Sequence, residues 1–204
     1  MIGLFGGTFD PVHAGHLAVM REAQRALALD ELRVLPAGDP WQKSDRPITP
    51  AHHRVAMLKL AMAEDFNAIL DTRELRRTGP TYTVDTLSEL RGEVGDACVF
   101  FWLIGSDAYA KISTWHRAAD LRALTHFAVV MRDDASAASP PNERFVTLEV
   151  ARLRPGGCAI HLPIATPDVS STQIRALVAK GGSARGLITD AVCDYIQTHH
   201  LYKE

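Results

Sequence analysis

Cysteine is scarce: Cys98, Cys158 and Cys193 are three among 204 residues, widely spaced and without a C-x-x-C pair. That excludes a zinc knuckle and a redox dithiol. The odd count argues against a disulfide framework and for a reducing, cytoplasmic setting. Cys98, at the head of the apolar run 98–104, is expected in the core. Charge of either sign is also nearly missing in the balance, with 22 Lys and Arg against 24 Asp and Glu and a net charge of -2. The broad basic footprint of a nucleic-acid binder is therefore absent. A local basic pocket stays open, because total charge says nothing about distribution. No apolar run approaches the roughly 20 residues of a membrane-spanning helix. No basic segment precedes an apolar one at the start, so neither a signal peptide nor a membrane anchor is expected. The dinucleotide fingerprint G-x-G-x-x-G and the P-loop with its Lys-Ser/Thr pair are missing too.

What is present is 47% hydrophobic residues, too many for a disordered chain. A chain this long makes one large domain or two small ones and can bury a sizeable core. Apolar runs at 2–5, 32–35, 68–70, 98–104, 127–131 and 159–164 read as strands. Between them lie stretches with helical periodicity. Thr49-Pro50 announces a helix with Thr49 as N-cap and Pro50 at its first position. Val84, Leu87 and Leu90 share one helical face. Residues 107–124 read as helix interrupted near 113–115. Residues 36–49 and 133–142 read as loops, the second polar, of low complexity and mobile, and 143–153 fits helix or strand equally. Ser170-Ser171-Thr172 caps a helix that stops at Gly181-Gly182, and a last helix starts near Thr189. Strands alternating with helices predict an α/β fold, a doubly wound parallel sheet, with a small C-terminal helical portion over about 168–204.

The chain is organised around residues 2–16. Ile2, Leu4 and Phe5 suit a buried strand, which Gly6 and Gly7 are expected to break. Asp10 and Pro11 read as turn residues, with Asp10 structural rather than catalytic. A helix starts near Ala14, with His13 and His16 at its beginning. A helix start offers free N–H groups and the positive end of the dipole, where phosphate binds. Two imidazoles three residues apart share that face.

Gly6-Gly7-Thr8-Phe9-Asp10-Pro11-Val12-His13-Ala14-Gly15-His16 resembles the signature of the H-x-G-H nucleotidyltransferases. Four further stretches are similar to the bacterial-type nicotinate mononucleotide adenylyltransferases within that superfamily. They are Pro36 with Pro40-Trp41-Gln42-Lys43, Thr81-Tyr82-Thr83-Val84-Asp85-Thr86-Leu87, Leu103-Ile104-Gly105-Ser106-Asp107 with Trp115, and Ser170-Ser171-Thr172-Gln173-Ile174-Arg175. Tyr195-Ile196 and Leu201-Tyr202 also look familial. The resemblance implies one Rossmann-like nucleotidyltransferase domain over 1–204. It implies transfer of AMP from ATP to nicotinate mononucleotide, giving nicotinate adenine dinucleotide and pyrophosphate. ATP and the mononucleotide are the expected partners, without nucleic acid or membrane, and a homo-oligomer is left open. Mg²⁺ is expected on the ATP phosphates, with no protein metal site.

The resemblance assigns roles residue by residue. His13 and His16 contact the ATP phosphates, with His16 nearest the reacting phosphoryl group. Lys43, on a proline-braced loop, adds a mobile point charge. Arg175 follows Ser171 by one turn and can fork onto phosphate oxygens. Gly6, Gly7, Thr8, Phe9, Gly105, Ser106, Asp107, Ser170, Ser171, Thr172 and Arg132 complete the ATP site. Asp107 could accept from a ribose hydroxyl, cap the following helix, or both. Arg132 is followed by Asp133-Asp134 where the family commonly has Pro-Gly. Thr81, Tyr82, Thr83 and Trp115 form the mononucleotide site, with Trp115 stacked on the ring or packed in the core. A helix start near Thr83 favours a carboxylate over a neutral amide. The other histidines, His52, His53, His116, His126, His161, His199 and His200, lack metal-site spacing and read as structural or exposed. The alternatives are adenylyl transfer to phosphopantetheine or nicotinamide mononucleotide, a pyridine-nucleotide sensor without turnover, and a truncated aminoacyl-tRNA synthetase core. The Thr81–Thr83 turn with Trp115 weighs against phosphopantetheine. The complete set His13, His16, Lys43 and Arg175 weighs against a sensor. The lack of a Lys-rich second signature weighs against a synthetase.

Overall fold

A computed structural model of the chain describes residues 1–39, 48–63, 67–131 and 144–203. Six strands form one parallel sheet: β1 (Ile2–Gly7), β2 (Glu31–Pro36), β3 (Ala68–Leu70), β4 (Phe100–Gly105), β5 (His126–Met131) and β6 (Ala159–Pro163), in the order β3-β2-β1-β4-β5-β6. Helices α1 (Ala14–Leu27), α2 (Ala51–Met62), α3 (Thr83–Val94), α4 (Ser106–Tyr109), α5 (Ala118–Leu124), α6 (Leu148–Ala151), α7 (Ser171–Ala179) and α8 (Asp190–Thr198) connect or follow them. Strands this apolar on both sides need cover on both faces. One core joins α1, α2, α7 and α8 to the sheet through Leu17, Met20, Met57, Ile174 and Val192. A second joins α3 and α5 through Val84, Leu87, Leu90 and Leu121.

The chain winds outward from β1 to β3, then crosses back to place β4 on the other flank of β1. That reversal lies between β1 and β4, and in open α/β sheets ligands bind outside the strand ends at such a point. The register makes the opening concrete. β1 and β4 pair from Ile2↔Phe100 to Leu4↔Trp102, while each strand runs three residues further. Their tips, Phe5–Gly7 and Leu103–Gly105, are thus parted.

Several elements differ from the sequence-based expectation. Gly6 and Gly7 do not break β1: they pair with Leu35 and Pro36 of β2. A side chain at Gly6 would meet the Trp102 ring at 2.6 Å, so glycine is there for close approach. Pro50, not Thr49, is the N-cap of α2. Thr49 is drawn into tertiary contacts, its N–H donating to Asp10 and its carbonyl accepting from Arg54. Cys98 is half-buried and precedes β4, whose first residue is Phe100. Residues 144–153 hold only the short α6 after a bridge from Phe145 to Ala159. The loop at 133–142 lies outside the described residues.

Candidate active site

The parted tips of β1 and β4 floor a cleft with two chambers. One, about 310 Å³, is lined by Gly6, Gly7, Thr8, Glu74, Thr81, Thr83, Leu103 and Trp115 among others. The second, about 220 Å³, is lined by His13, His16, Ser106, Asp107, Thr166 and Ser170 among others. Phe5 and Gly105 line both. A Cβ on Gly105 would meet nothing within 4 Å, so bare backbone marks the junction.

The loop from Thr8 to His13 is buried throughout. Buried carbonyls need partners, and elements distant in sequence supply them. Thr8 accepts from Arg54 Nη1 at 2.9 Å, Asp10 from Arg175 Nη1 at 2.7 Å, and Pro11 from Ser171 Oγ at 2.9 Å. The Asp10–Pro11 peptide is cis. The Asp10 side chain accepts from the Tyr202 hydroxyl at 2.8 Å and the Thr49 N–H at 3.4 Å. Burial alone would raise the Asp10 pKa, but hydrogen bonds from Thr49 and Tyr202 and the Arg175 charge outweigh it, leaving the carboxyl below its ordinary 3.8. The Tyr202 phenol is pushed up by burial and by the Asp10 charge. Asp10, read from the sequence as a turn residue, is a tertiary node that joins Thr49, Arg175 and Tyr202.

His13 and His16 meet at the start of α1 with their rings stacked, centroids 3.7 Å apart. The His13 N–H donates to His16 Nδ1 at 3.2 Å. An accepting Nδ1 leaves the ring proton on Nε2, so His16 keeps its donor on the nitrogen that the backbone contact does not use. Phe9 packs edge-on against His16 at 4.9 Å. It lines neither chamber, and its φ of 50° places it in the left-handed region.

The other expected residues divide. Gly6, Gly7 and Thr8, expected at ATP, lie on the Trp115 chamber. Ser106 and Asp107 line the histidine chamber, where Gly105 rather than Asp107 is the N-cap of α4. Ser170 lines that chamber and caps α7 in a reciprocal box with Gln173. Ser171 turns to Pro11, while Thr172 Oγ1 accepts from Arg175 Nη2 at 3.2 Å. Arg175 thus grips the signature loop and its own helix and lines neither chamber. Thr81, Thr83 and Trp115 come together in one chamber, but Tyr82 stacks on His116, centroids 4.1 Å apart. Lys43 and Arg132 lie outside the described residues.

Sequence reasoning passed over Glu74 and Arg54, and gave Tyr202 no role beyond a familial look. Arg54 carried a signal: it stands three and four residues before Met57 and Leu58, on the apolar face of α2. An arginine there needs buried acceptors, and it finds the Thr8 and Thr49 carbonyls. Burial lowers its pKa, with Asp10 opposing. Glu74 carried none, being one acid among the charged residues of 71–77.

Comparison with known proteins bears on this cleft. The cytidylyltransferase-like family model matches residues 4–177. A Chromobacterium violaceum protein named a probable nicotinate-nucleotide adenylyltransferase is 42% identical over 209 residues, covering 99% of this chain and 98% of its own. A Pseudomonas aeruginosa protein of the same name is 44% identical over 210 residues, covering 99% and 97%. Among solved structures, Plasmodium falciparum nicotinic acid mononucleotide adenylyltransferase complexed with NaAD superposes with a TM-score of 0.74 at 20% identity, covering 98% of this chain and 96% of that one. That last likeness carries the fold. By the sequence matches, the chain belongs to the nicotinate-nucleotide adenylyltransferases of the cytidylyltransferase-like family.

Proposed function

We propose that the two chambers seat the two substrates of adenylyl transfer in NAD biosynthesis: ATP in the histidine chamber, nicotinate mononucleotide in the Trp115 chamber. The observation that carries this is their shared border at Phe5 and Gly105, which brings two nucleotides together where the sheet parts. A phosphate monoester is largely dianionic at neutral pH, so the mononucleotide phosphate attacks the α-phosphorus of ATP without a general base. A new P–O bond forms as the bond to the β-phosphate oxygen breaks, and pyrophosphate leaves. The catalytic demand is positioning and neutralisation of charge on the phosphoryl oxygens.

His16 Nε2–H, with His13 stacked behind it, donates to the phosphate oxygens, and the start of α1 adds its positive end. Asp107 accepts from a ribose hydroxyl. The capped start of α7, with Ser170 and the amides beyond it, offers a second anion seat. Arg175 acts by holding the signature loop in register and reaches phosphate through that loop. Lys43 and Arg132 are proposed as further phosphate cations on sequence grounds. The first turn of α3 at Thr83 meets the ring carboxylate, and Trp115 stacks on the ring.

Mg²⁺ supplies charge neutralisation when it arrives on ATP. Magnesium commonly keeps several waters and binds through substrate phosphate oxygens, which is the reading proposed here. The residues of α7 and α8 share a core with the sheet, which supports one domain over the whole chain. The free thiols of Cys98, Cys158 and Cys193 support a cytoplasmic setting. Oligomeric state, a homo-oligomer included, is decided by sedimentation.

The decisive measurement is pyrophosphate release from ATP with nicotinate mononucleotide, nicotinamide mononucleotide and phosphopantetheine in turn. Nicotinate mononucleotide is expected to give the highest kcat/KM. A higher value for either of the others reassigns the acceptor.

A further inference from the structure

We propose that Arg54 is a positioning residue for adenylyl transfer: its guanidinium fixes the Thr8–Phe9 peptide and, through the Phe9 ring, the place of His16. This rests on the proposed role of His16 as donor to the reacting phosphoryl group.

Arg54 is 2% exposed and stands on the first turn of α2. Met57 and Leu58, three and four residues on, share its face and are fully buried, so the core sets the register of the helix that carries it. Its Nε donates to the Thr49 carbonyl and its Nη1 to the Thr8 carbonyl, each at 2.9 Å. The Thr49 N–H donates in turn to Asp10 Oδ2 at 3.4 Å. A closed ring of contacts thus runs from α2 through residue 49 to the signature loop and back. Burying a guanidinium is costly, and a well-packed apolar side chain of similar volume is often no less stable. Packing therefore does not call for a cation at position 54; the Thr8 carbonyl does.

That carbonyl controls Phe9. It belongs to the Thr8–Phe9 peptide, whose plane bounds the Phe9 φ of 50°. A bulky residue keeps such a conformation only where its surroundings fix it. The Phe9 ring is buried, packed edge-on against Phe5 at 5.5 Å and against His16 at 4.9 Å between centroids. With His13 stacked on His16 at 3.7 Å, the His16 ring is held from two sides. Turning the Thr8–Phe9 peptide shifts the Phe9 edge, and the His16 donor with it. A displacement of about 1 Å at a reacting group costs up to about 10²-fold in rate. Arg54 lines neither chamber, so its effect reaches the chemistry through this chain of contacts.

The test is Arg54→Lys, which keeps the charge and loses the planar fork that reaches two carbonyls at once. Its kcat is expected to fall about 10- to 100-fold, with the KM of ATP and of the mononucleotide each within about twofold of wild type. Full kcat per folded molecule with a lower melting temperature overturns the proposal, and so do raised KM values at unchanged kcat. A double-mutant cycle with His16→Ala supplies the second readout. Once His16 is gone, Arg54→Lys is expected to cost little further kcat. Additive losses overturn the proposal and leave the role of His16 standing. Near-normal kcat in His16→Ala overturns that role and this inference together. If Arg54→Lys does not fold, the wild-type enzyme decides: the ¹⁵N signal of Arg54 Nε–H is expected to shift on saturation with a non-hydrolysable ATP analogue. A signal that stays in place while the analogue binds overturns the proposal.

Discussion

The hydroxyl of Tyr202 donates to the carboxylate of Asp10 at 2.8 Å, across 192 residues of chain. The main-chain carbonyl of the same aspartate accepts from Arg175 at 2.7 Å. The loop that delivers His13 and His16 is thus held from outside by the tail after α8 and by α7.

Tyr202→Phe should therefore loosen this loop. A hydrogen bond to a charged group contributes about 1.5–3 kcal/mol, and a loss of that order is expected in urea unfolding. The pH dependence has a definite sign. The native Asp10 pKa lies below its ordinary 3.8, so its stabilisation is in full above that value and fades as the pH falls through the native one. Without the Tyr202 hydroxyl the native pKa rises, and acid unfolding should begin at higher pH. An unchanged acid limb would show that Tyr202 only fills space.

His16→Ala removes the Nε2 donor and the acceptor of the His13 N–H. Turnover should drop by at least about 10²-fold, the scale of losing one preorganised donor at developing charge. Thermal stability should fall only by the roughly 1 kcal/mol of a helix cap. Near-normal kcat with the cap effect intact would assign His16 a capping role alone.

Trp115→Ala separates stacking from packing. Trp115 lines the Gly6 chamber and also packs on the α3–α5 core. Loss of an aromatic pair worth about 0.5–1.5 kcal/mol should raise the mononucleotide KM roughly 2- to 12-fold and leave that of ATP in place. Equal rises for both substrates would mean packing.

Gly6 and Gly105 predict opposite outcomes for one added methyl group. At Gly6 it would press on the Trp102 ring at 2.6 Å, and overpacking of this kind costs about 1–3 kcal/mol. At Gly105 it enters open space. Gly105→Ala should keep the melting temperature and raise KM where the chambers meet. A stable Gly6→Ala would show that the ring moves aside.

The main elements were legible because their signals are local. The run from Phe100 to Ile104 is apolar on both faces, so it had to be an inner strand. The caps Ser170 and Thr189 and the stop at Gly181 likewise act within one turn. Boundaries failed where a distant partner competes. Thr49 looks like an N-cap, yet Asp10 and Arg54 hold its backbone. Gly6 and Gly7 look like a break, yet β2 pairs with them. The contact between the Arg175 guanidinium and the Asp10 carbonyl was equally invisible, since 165 residues separate the two.

From its residue order alone this chain determined the alternation of strand and helix, the family, and the histidine pair at a helix start, because periodicity, capping and motif spacing are short-range. Only tertiary structure decided that β4 lands beside β1, that their tips part into a cleft whose two chambers share Phe5 and Gly105, and that Arg54, Arg175 and Tyr202 converge on the loop before α1. Those outcomes depend on which buried polar groups find partners across the whole fold, and no local pattern records that.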